Sequence, residues 1–367
     1  MSGKPTDSVA EMPIAVLGDG CAGLSLAAYA DRLPHYKLEI LTSSVATPQA
    51  NHIWGFWQMG WLQDAVPLAR KTWHKWSVRT AKNEVVMQAD VHPYHALMRH
   101  CWLAHCRRRA AQHGVRVHND ASIIAGLPNH QVFDSRPPKR RSGMMLQHFI
   151  GWEVQAAAGS FDDSSAVLMD FRCEQSRGMH FIYCLPFSDR EALVESTLFS
   201  PHLEMDSFYE TAISEWLRDC SGISDYQIVR RERGVIPLGL MARHDPDLPG
   251  IGGNCGAIRP SSGYAFSFIQ KQIANALAGV ASGRTLRFTS PHRAIDLWMD
   301  RIFLSVLRHQ PQHAPELFAA IAGRLSGDEF ACFLSGEATM ALRAKVVTAM
   351  PLLPFLRALL CLEPGAP

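Results

Sequence analysis

The sequence predicts an α/β protein in which a parallel layer is interrupted by an antiparallel sheet and followed by a helical C-terminal region. Three observations lead to this prediction. An apolar strand, a glycine turn and a small-residue helix occupy residues 12–33. Three strand-like runs separated by Gly, Ser and Asp turns occupy residues 165–200, which is typical of antiparallel neighbours. A second glycine loop and a long helix occupy residues 250–281, and the pattern beyond about residue 290 is helical with Pro breaks.

The composition is that of a globular protein with a substantial core. Of the 367 residues, 47% are hydrophobic and 19% are charged, which suits one large or two closely joined domains. A net charge of +2 predicts no nucleic-acid partner. No apolar run reaches the roughly 18 residues that span a bilayer. The nine cysteines lack metal-like spacing and no signal peptide is recognised, so we expect reduced thiols, no metal and a cytoplasmic protein.

The first glycine turn has the GxGxxG spacing of dinucleotide-binding βαβ units. The first glycine permits a tight turn, the second lets the backbone approach a pyrophosphate, and the third allows close packing of helix on strand. The alternative is a tight turn without a ligand. The acidic residue that usually holds the ribose is missing, because Glu39 is mid-strand and Thr42 and Ser43 occupy the strand end. The three glycines are Gly18, Gly20 and Gly23.

A βαβ layer, an inserted sheet and a second glycine loop follow one another as in flavin enzymes of the glutathione-reductase type. We therefore predict a glutathione-reductase-type FAD-binding fold with an inserted antiparallel β-sheet substrate domain and a helical C-terminal region. "NHIWGFWQMGWL" at 51–62 is interpreted as a loop or helix start, and "YHALMRHCWLAHCRRRAAQHG" as one amphipathic helix. The predicted divisions are 12–150 and 231–290 for the two FAD-binding parts, 151–230 for the sheet and 291–367 for the helical region.

The strand "EALVESTLFS" at 191–200 has a carboxylate, Glu195, at its apolar centre. Strand alternation puts Leu193, Glu195 and Thr197 on one face. Either Glu195 points to water as an ordinary surface carboxylate, or it points into an apolar cavity for a chemical purpose.

Short motifs along nearly the whole chain carry a family resemblance. After the dinucleotide turn come "NHIWGFW", "FIGWEV", "MDF…FIYCLPFS", "LVEST", "RGVIPLG", "RPSSGYAF" and "FLSGEAT", in that order. In this order they resemble the bacterial-type lycopene cyclases, flavoproteins that close ionone rings at the ends of lycopene. The resemblance implies FAD in its reduced form, NAD(P)H as external reductant, and β-ring closure on lycopene or another acyclic carotene without net redox change. It also implies peripheral membrane association, and no obligate protein partner is evident.

The resemblance assigns a catalytic acid. The family carries an essential acid in a motif of the form apolar-Glu-acid-Thr, which reads here Val194-Glu195-Ser196-Thr197, with Ser196 in place of the second acid. Glu195 is thereby the proton donor, and it must stay protonated near pH 7 although free Glu titrates near 4.3. Burial beside apolar substrate would raise its pKa. Glu153 is a second acid or base, a structural hydrogen-bond partner or a rim charge.

A carbocation formed on the substrate needs stabilising. Trp54, Phe56 and Trp57 can supply cation–π attraction of about 0.5–2 kcal/mol each, or simply pack beneath the flavin. A reduced, anionic flavin would supply a full charge. His52 is grouped with these aromatic residues as either a hydrogen-bonded structural histidine or a base.

The remaining candidate residues lie in the flavin loops. Asp134-Ser135-Arg136 stands where the family has an Asp-Gly-Arg-like turn, and Gly253-Asn254 stands where this flavin fold usually has Gly-Asp. We expect Asn254 to hydrogen-bond the ribityl chain. Arg259 is a structural cation or a partner of the flavin phosphate. Gly263 and Tyr264 open the helix beneath the flavin, where backbone N–H groups can face the ring.

Two other functions fit the same pattern. One is a flavin-dependent polyene reductase or hydroxylase on this fold, and the other is a non-catalytic carotenoid carrier. The segment "MALRAKVVTAMPLLPFLRALLCL" at 340–362 is the candidate for membrane contact, with Arg343, Lys345 and Arg357 placed to meet headgroups. The alternative is that this segment packs as an ordinary core helix.

Overall fold

The first layer is a parallel four-stranded sheet in the computed structural model, which describes residues 11–42 and 51–360. The strand order is β8-β2-β1-β9, and every pair is parallel. The inner strand is apolar and buried, as parallel strands covered by helices are. The glycine turn follows it and leads into α1, which packs against α2 and α4. The elements are β1 (Met12–Leu17), β2 (Tyr36–Leu41), β8 (Arg116–His118), β9 (Val132–Asp134), α1 (Cys21–Ala27), α2 (Arg99–Gln112) and α4 (Phe266–Ala281).

The second layer is a seven-stranded sheet of order β14-β10-β13-β12-β11-β5-β6, antiparallel except for the β11–β5 pair. The three strands predicted within residues 165–200 are confirmed as β11, β12 and β13. One face of the sheet packs against helix α3 (Asp206–Glu215). The strands are β5 (Lys75–Arg79), β6 (Glu84–Gln88), β10 (Met145–Ala156), β11 (Ser165–Asp170), β12 (Met179–Pro186), β13 (Glu191–Ser200) and β14 (Tyr226–Leu238).

A third, three-stranded sheet lies where the sequence predicted a loop and a helix. "NHIWGFW" forms β3 (Ile53–Trp57), and "YHALM" forms β7 (Tyr94–Met98), which also pairs with β4 (Lys71–Trp73). Both predictions were wrong here, since α2 begins only at Arg99. The cause is that β7 is buried almost continuously, so its residues show no polar alternation and resemble the start of a buried helix.

The predicted helical C-terminal region is confirmed and covers the other face of the seven-stranded sheet. The predicted domain boundary at 150/151 falls inside β10, and the predicted boundary at 230/231 falls inside β14. Two further strands of the same sheet, β5 and β6, come from the first 90 residues, outside the predicted sheet region. None of the helices within 11–42 and 51–360 is both long and apolar enough to cross a bilayer. The helices are α5 (Ala294–His309), α6 (Ala314–Arg324), α7 (Gly327–Leu334), α8 (Met340–Ala349) and α9 (Leu352–Leu360).

Candidate active site

The first glycine loop has the geometry of a dinucleotide-binding turn. Gly18 has φ +103°, a left-handed conformation that a side chain would strain. A Cβ on Gly23 would lie 2.2 Å from the Gly18 carbonyl oxygen, so only glycine lets α1 approach β1 this closely. A Cβ on Gly20 would meet no described atom within 4 Å, which leaves open space beside its backbone. This space suits a phosphate group.

A cavity of about 510 Å³ lies between the seven-stranded sheet and the C-terminal helices, and Cys21 of the first glycine motif is one of its lining residues. Its volume lies within the range of small-molecule sites, and its lining is mostly apolar and aromatic. Sheet residues that line it include Phe149, Phe181, Glu195, Thr197 and Phe199. Helix residues that line it include Phe303, Phe318, Phe330, Val346 and Phe355.

Glu195 points into this cavity. It is 8% exposed, and the Thr197 hydroxyl donates a hydrogen bond to its Oε1 at 2.6 Å. Burial, followed by the neighbouring Glu232 carboxylate, raises the pKa of Glu195 to about 8. The group is therefore protonated at neutral pH, as a proton donor to an apolar substrate must be.

The residue after Glu195 faces the opposite side of the sheet. The Ser196 hydroxyl is 2.8 Å from His180 Nε2, within the core beneath α3. An acid at position 196 would therefore point away from the cavity. The carboxylate that does lie beside Glu195 is Glu232 on β14, which the sequence analysis missed. Half-buried and exposed residues alternate along β14, and this alternation is the pattern that could have located Glu232. The charged run "RRERG" obscures it.

A cluster of three tyrosines, of which Tyr94 is buried and Tyr183 and Tyr264 are half-buried, forms a second feature of the cavity. The hydroxyls of Tyr94 and Tyr183 are 2.7 Å apart, and Tyr264 hydrogen-bonds to Tyr94. Tyr183 is the register partner of Glu195 on the adjacent strand. Burial raises the pKa of Tyr264 to about 12 and those of Tyr94 and Tyr183 well above their ordinary value. The phenols stay neutral, so they provide polarity near Glu195 without an anionic nucleophile.

The aromatic residues of β3 divide between the cavity and the core. Trp54 and Trp57 line the cavity, whereas Phe56 is buried against His95. Trp54 stacks on Phe266 at 4.9 Å, and Trp57 packs against the Tyr94 ring at 4.8 Å. Both therefore pack against other rings and face the site.

His52 lines the cavity at the start of β3. Its ring lies edge-on to Phe149 at 5.8 Å. Its Nε2 is buried without a hydrogen-bond partner among the residues the structure describes.

Glu153 lies in an ion-pair network rather than among the cavity residues. It pairs with Arg70 at 2.7 Å and with Arg230 at 2.8 Å. Burial opposes its ionisation, but the hydrogen bonds and charges of Arg230 and Arg70 outweigh burial and hold its pKa below the ordinary value. A carboxylate that stays ionised cannot donate a proton at neutral pH. The structure thus supports its structural alternative and corrects the suggestion of a second acid.

The predicted flavin contacts of Asp134 and Asn254 are corrected as well. Asp134 ends β9, and its carboxylate accepts hydrogen bonds from the Arg136 side chain at 2.8 and 2.9 Å. Asn254 Nδ2 donates to the Asp134 carbonyl, and its Oδ1 accepts from the His244 N–H. Both residues are buried and join the end of β9 to the second glycine loop, so the Asn254 amide is directed to protein rather than to a ribityl chain. The neighbouring Gly253 has no room for a side chain, because its Cβ would lie 2.8 Å from Ile258.

Arg259, Gly263 and Tyr264 form the cavity wall before α4. Two nitrogens of the Arg259 guanidinium donate to Asp300 at 2.6 and 2.9 Å, which supports the structural-cation alternative. Its Nη1 is buried and has no partner within the described chain. Gly263 has φ +67°, and a Cβ there would lie 2.7 Å from Ile236.

Among the described residues at the end of β2, which stop at Thr42, no carboxylate is free for a ribose. Glu39 pairs with Arg116 and with His118. The Thr42 hydroxyl donates to Asn119 at 2.8 Å. Ser43 lies outside the described residues.

Comparisons with known proteins agree with this geometry. A family model described as "Lycopene cyclase protein" matches residues 13–360. A lycopene beta-cyclase of Paracoccus sp. is 27% identical over 249 residues, which are 63% of this chain and 64% of that protein. One from Pantoea ananas is 24% identical over 364 residues, covering 86% and 88% of the two chains.

A solved structure shares the fold. The crystal structure of a flavoprotein/dehydrogenase from Cytophaga hutchinsonii superposes with a TM-score of 0.58, at 10% identity and over 92% of this chain and 98% of that one. The predicted flavoprotein fold is thereby confirmed. Since the family model covers most of the sequence, the chain belongs to the lycopene cyclase family.

Proposed function

We propose that this protein is a lycopene β-cyclase of carotenoid biosynthesis, an isomerase that closes β-ionone rings at the ends of lycopene or another acyclic carotene. The observation that carries this proposal is a carboxylic acid, Glu195, held protonated in an apolar cavity. Its proton is added to a terminal C=C bond, and the neighbouring alkene attacks the resulting cation. The Glu195 carboxylate then accepts a different proton from a ring carbon, so the acid is restored and reactant and product are isomers.

The residues around the acid serve this sequence in distinct ways. Thr197 fixes the orientation of the Glu195 carboxyl group through its hydrogen bond. The apolar lining excludes water that would capture the cation, and the neutral tyrosines offer no anion to trap it. The faces of Trp54 and Trp57 are available for cation–π attraction of about 0.5–2 kcal/mol each.

FAD is the proposed cofactor, and the loops fit it. Gly20 leaves open space for the pyrophosphate, Gly18 and Gly23 shape the turn, and the cavity lined by Cys21, Gly263 and Tyr264 would receive the ring. We propose that the reduced form is required, with NAD(P)H as the external reductant. When bound and reduced, the flavin supplies negative charge near the cation without being consumed.

Expression in cells that accumulate lycopene tests this function. We expect pigment chromatography to show cyclised carotenes with the same mass as lycopene. A reductase would add two hydrogens and a hydroxylase an oxygen, while a carrier would leave lycopene unchanged. With purified protein under low oxygen, we expect activity to require reduced flavin and no NAD(P)H to be consumed per ring. Stoichiometric NAD(P)H oxidation would contradict the non-redox mechanism.

We also propose peripheral association with the cytoplasmic side of a membrane, where a C40 hydrocarbon resides. Trp298, Val347 and Leu356 line the cavity and are nevertheless 51%, 51% and 45% exposed, so the cavity opens among apolar surface residues. Leu353 on α9 is 67% exposed. Such a surface suits insertion into the headgroup boundary.

The basic residues of this segment have different environments. Arg343, expected to meet headgroups, is 2% exposed and pairs with Asp296 on α5, which corrects that assignment. Lys345 pairs with Glu329. Arg357 is exposed, and residues 361 and 362 of the segment lie outside the described chain.

Fractionation of a cell lysate tests the membrane contact. We expect the protein in the membrane pellet, released by detergent but not by high salt, because apolar insertion survives ionic screening. Leu353→Glu should move most of the protein to the supernatant. Val229→Glu changes another exposed apolar residue, 53% exposed on the far face of β14, and should leave the protein in the pellet. Recovery of the unmodified protein in the low-salt supernatant would refute the contact.

A further inference from the structure

Glu195 lines the cavity, and the carboxylate beside it, Glu232, comes from a strand that does not pair with β13. β10 separates β13 from β14, and its Gly151 is the register partner of both Glu195 and Glu232. A Cβ on Gly151 would lie 3.0 Å from Glu232 Cγ and 3.5 Å from Glu195 Cβ. The missing side chain therefore lets the two carboxyl groups reach each other over Gly151, where they hydrogen-bond.

The surroundings of Glu232 differ from those of Glu195. Arg230 Nη1 donates to Glu232 Oε2 at 2.7 Å, and the Ile53 N–H also donates to this carboxylate. His52 faces it from the start of β3. Burial raises the pKa of Glu232 above its ordinary value, and all these contacts oppose burial by favouring the charged form.

Glu195 has no basic neighbour of this kind within the described chain. The groups that face it are Thr197 from its own strand, Tyr183 from β12, Tyr264 from the loop before α4, and Glu232. The pair therefore holds one proton, and that proton resides on Glu195. Two carboxylates this close would repel each other in a buried site, so loss of the proton to bulk water is disfavoured.

We infer that Glu232 is a positioning residue for the proposed cyclisation, which keeps the acidic proton on Glu195 until the substrate takes it. The inference rests on the proposed function. Glu232 itself transfers no proton to the carotene, because Glu195 lies between it and the cavity.

The pH dependence of ring formation by Glu232→Gln tests the inference. In the unmodified enzyme, activity should fall as the pH rises through about 8, where Glu195 loses its proton. Removing the Glu232 charge should move this alkaline limb to lower pH by about 1–2 units. Glu210→Gln is the matched control, because Glu210 pairs with Arg231 on the opposite face of β14. It should leave the limb in place.

Infrared spectroscopy gives a second measurement that does not depend on turnover. The C=O band of the protonated Glu195 carboxyl is identified by its absence in Glu195→Gln. As the pH is raised, this band should disappear at a lower pH in Glu232→Gln than in the unmodified protein. Gly151→Ala, which inserts a methyl group between the two side chains, should shift the limb and the band in the same direction. Thermal unfolding verifies that each variant is folded.

The outcomes separate this inference from the proposed function. If the unmodified protein forms no rings, the proposed function fails. If it forms rings but Glu232→Gln keeps the same alkaline limb and the same band, the inference alone is refuted. A uniform loss of activity at every pH, without a shift, would likewise show that Glu232 only supports the fold.

Discussion

Glu195→Gln is expected to reduce ring formation by about 10²–10⁴-fold, the usual contribution of a general acid. The amide has nearly the same shape as the carboxylic acid and can still accept the Thr197 hydrogen bond, but it cannot protonate an alkene. Rates of cyclised carotene formation, measured by chromatography at saturating lycopene, provide the comparison.

Glu191→Gln is the matched control for this prediction. Glu191 opens the same strand, and its partly exposed carboxylate pairs with Arg70 at the surface. We expect this variant to retain activity, and both variants to bind flavin and to unfold at temperatures close to that of the unmodified protein. Full cyclase activity in folded Glu195→Gln would show that Glu195 is not the acid. If the unmodified protein binds as much pigment as this variant but forms no rings, the protein is a carrier.

Gly20→Val is expected to weaken flavin binding by about 100-fold or more, equivalent to about 2.7 kcal/mol. The new Cβ would meet no described atom within 4 Å, so the protein itself should fold normally. The valine side chain would instead occupy the open space proposed for the pyrophosphate. Flavin absorbance per mole of purified protein, together with the thermal unfolding midpoint, measures both effects.

Two other glycines make this experiment specific. Gly60 also has no described atom within 4 Å of its virtual Cβ, and Gly60→Val should keep its flavin. Gly23→Ala places a methyl group 2.2 Å from the Gly18 carbonyl and should destabilise the fold itself. Stoichiometric FAD in purified Gly20→Val would show that the dinucleotide site lies elsewhere.

The sequence predicted the features that local patterns encode. Period-two alternation placed Glu195 and Thr197 on one face of β13, and the glycine spacing anticipated the turn conformation of Gly18. It failed for β3 and β7, because strands buried on both faces carry no alternation. The amino-acid sequence did not predict the order of the strands in the sheets either. Only the strand order β14-β10-β13 brings Glu232 close to Glu195, and no local sequence pattern indicates which strand lies between two others.

The same limit explains the residues whose proposed contacts were corrected. Glu153 and Asn254 are of the expected chemical types, but their partners, Arg230 and the Asp134 carbonyl, lie 77 and 120 positions away along the chain. A neighbouring guanidinium lowers the pKa of a carboxyl group, whereas burial in an apolar cavity raises it. Residue type alone therefore does not identify a proton donor, whereas its three-dimensional neighbours do.

The Arg259–Asp300 ion pair has a consequence for how the protein matures. It fastens α5 to the loop before α4, and α5 and the helices after it cover the sheet face that carries Glu195. On the ribosome, β13 emerges about a hundred residues before α5. Until those helices dock, Glu195 is a hydrated side chain of ordinary acidity on an exposed apolar surface, the kind of surface that chaperones bind. The raised pKa that keeps Glu195 protonated at neutral pH is thus acquired only when these helices dock.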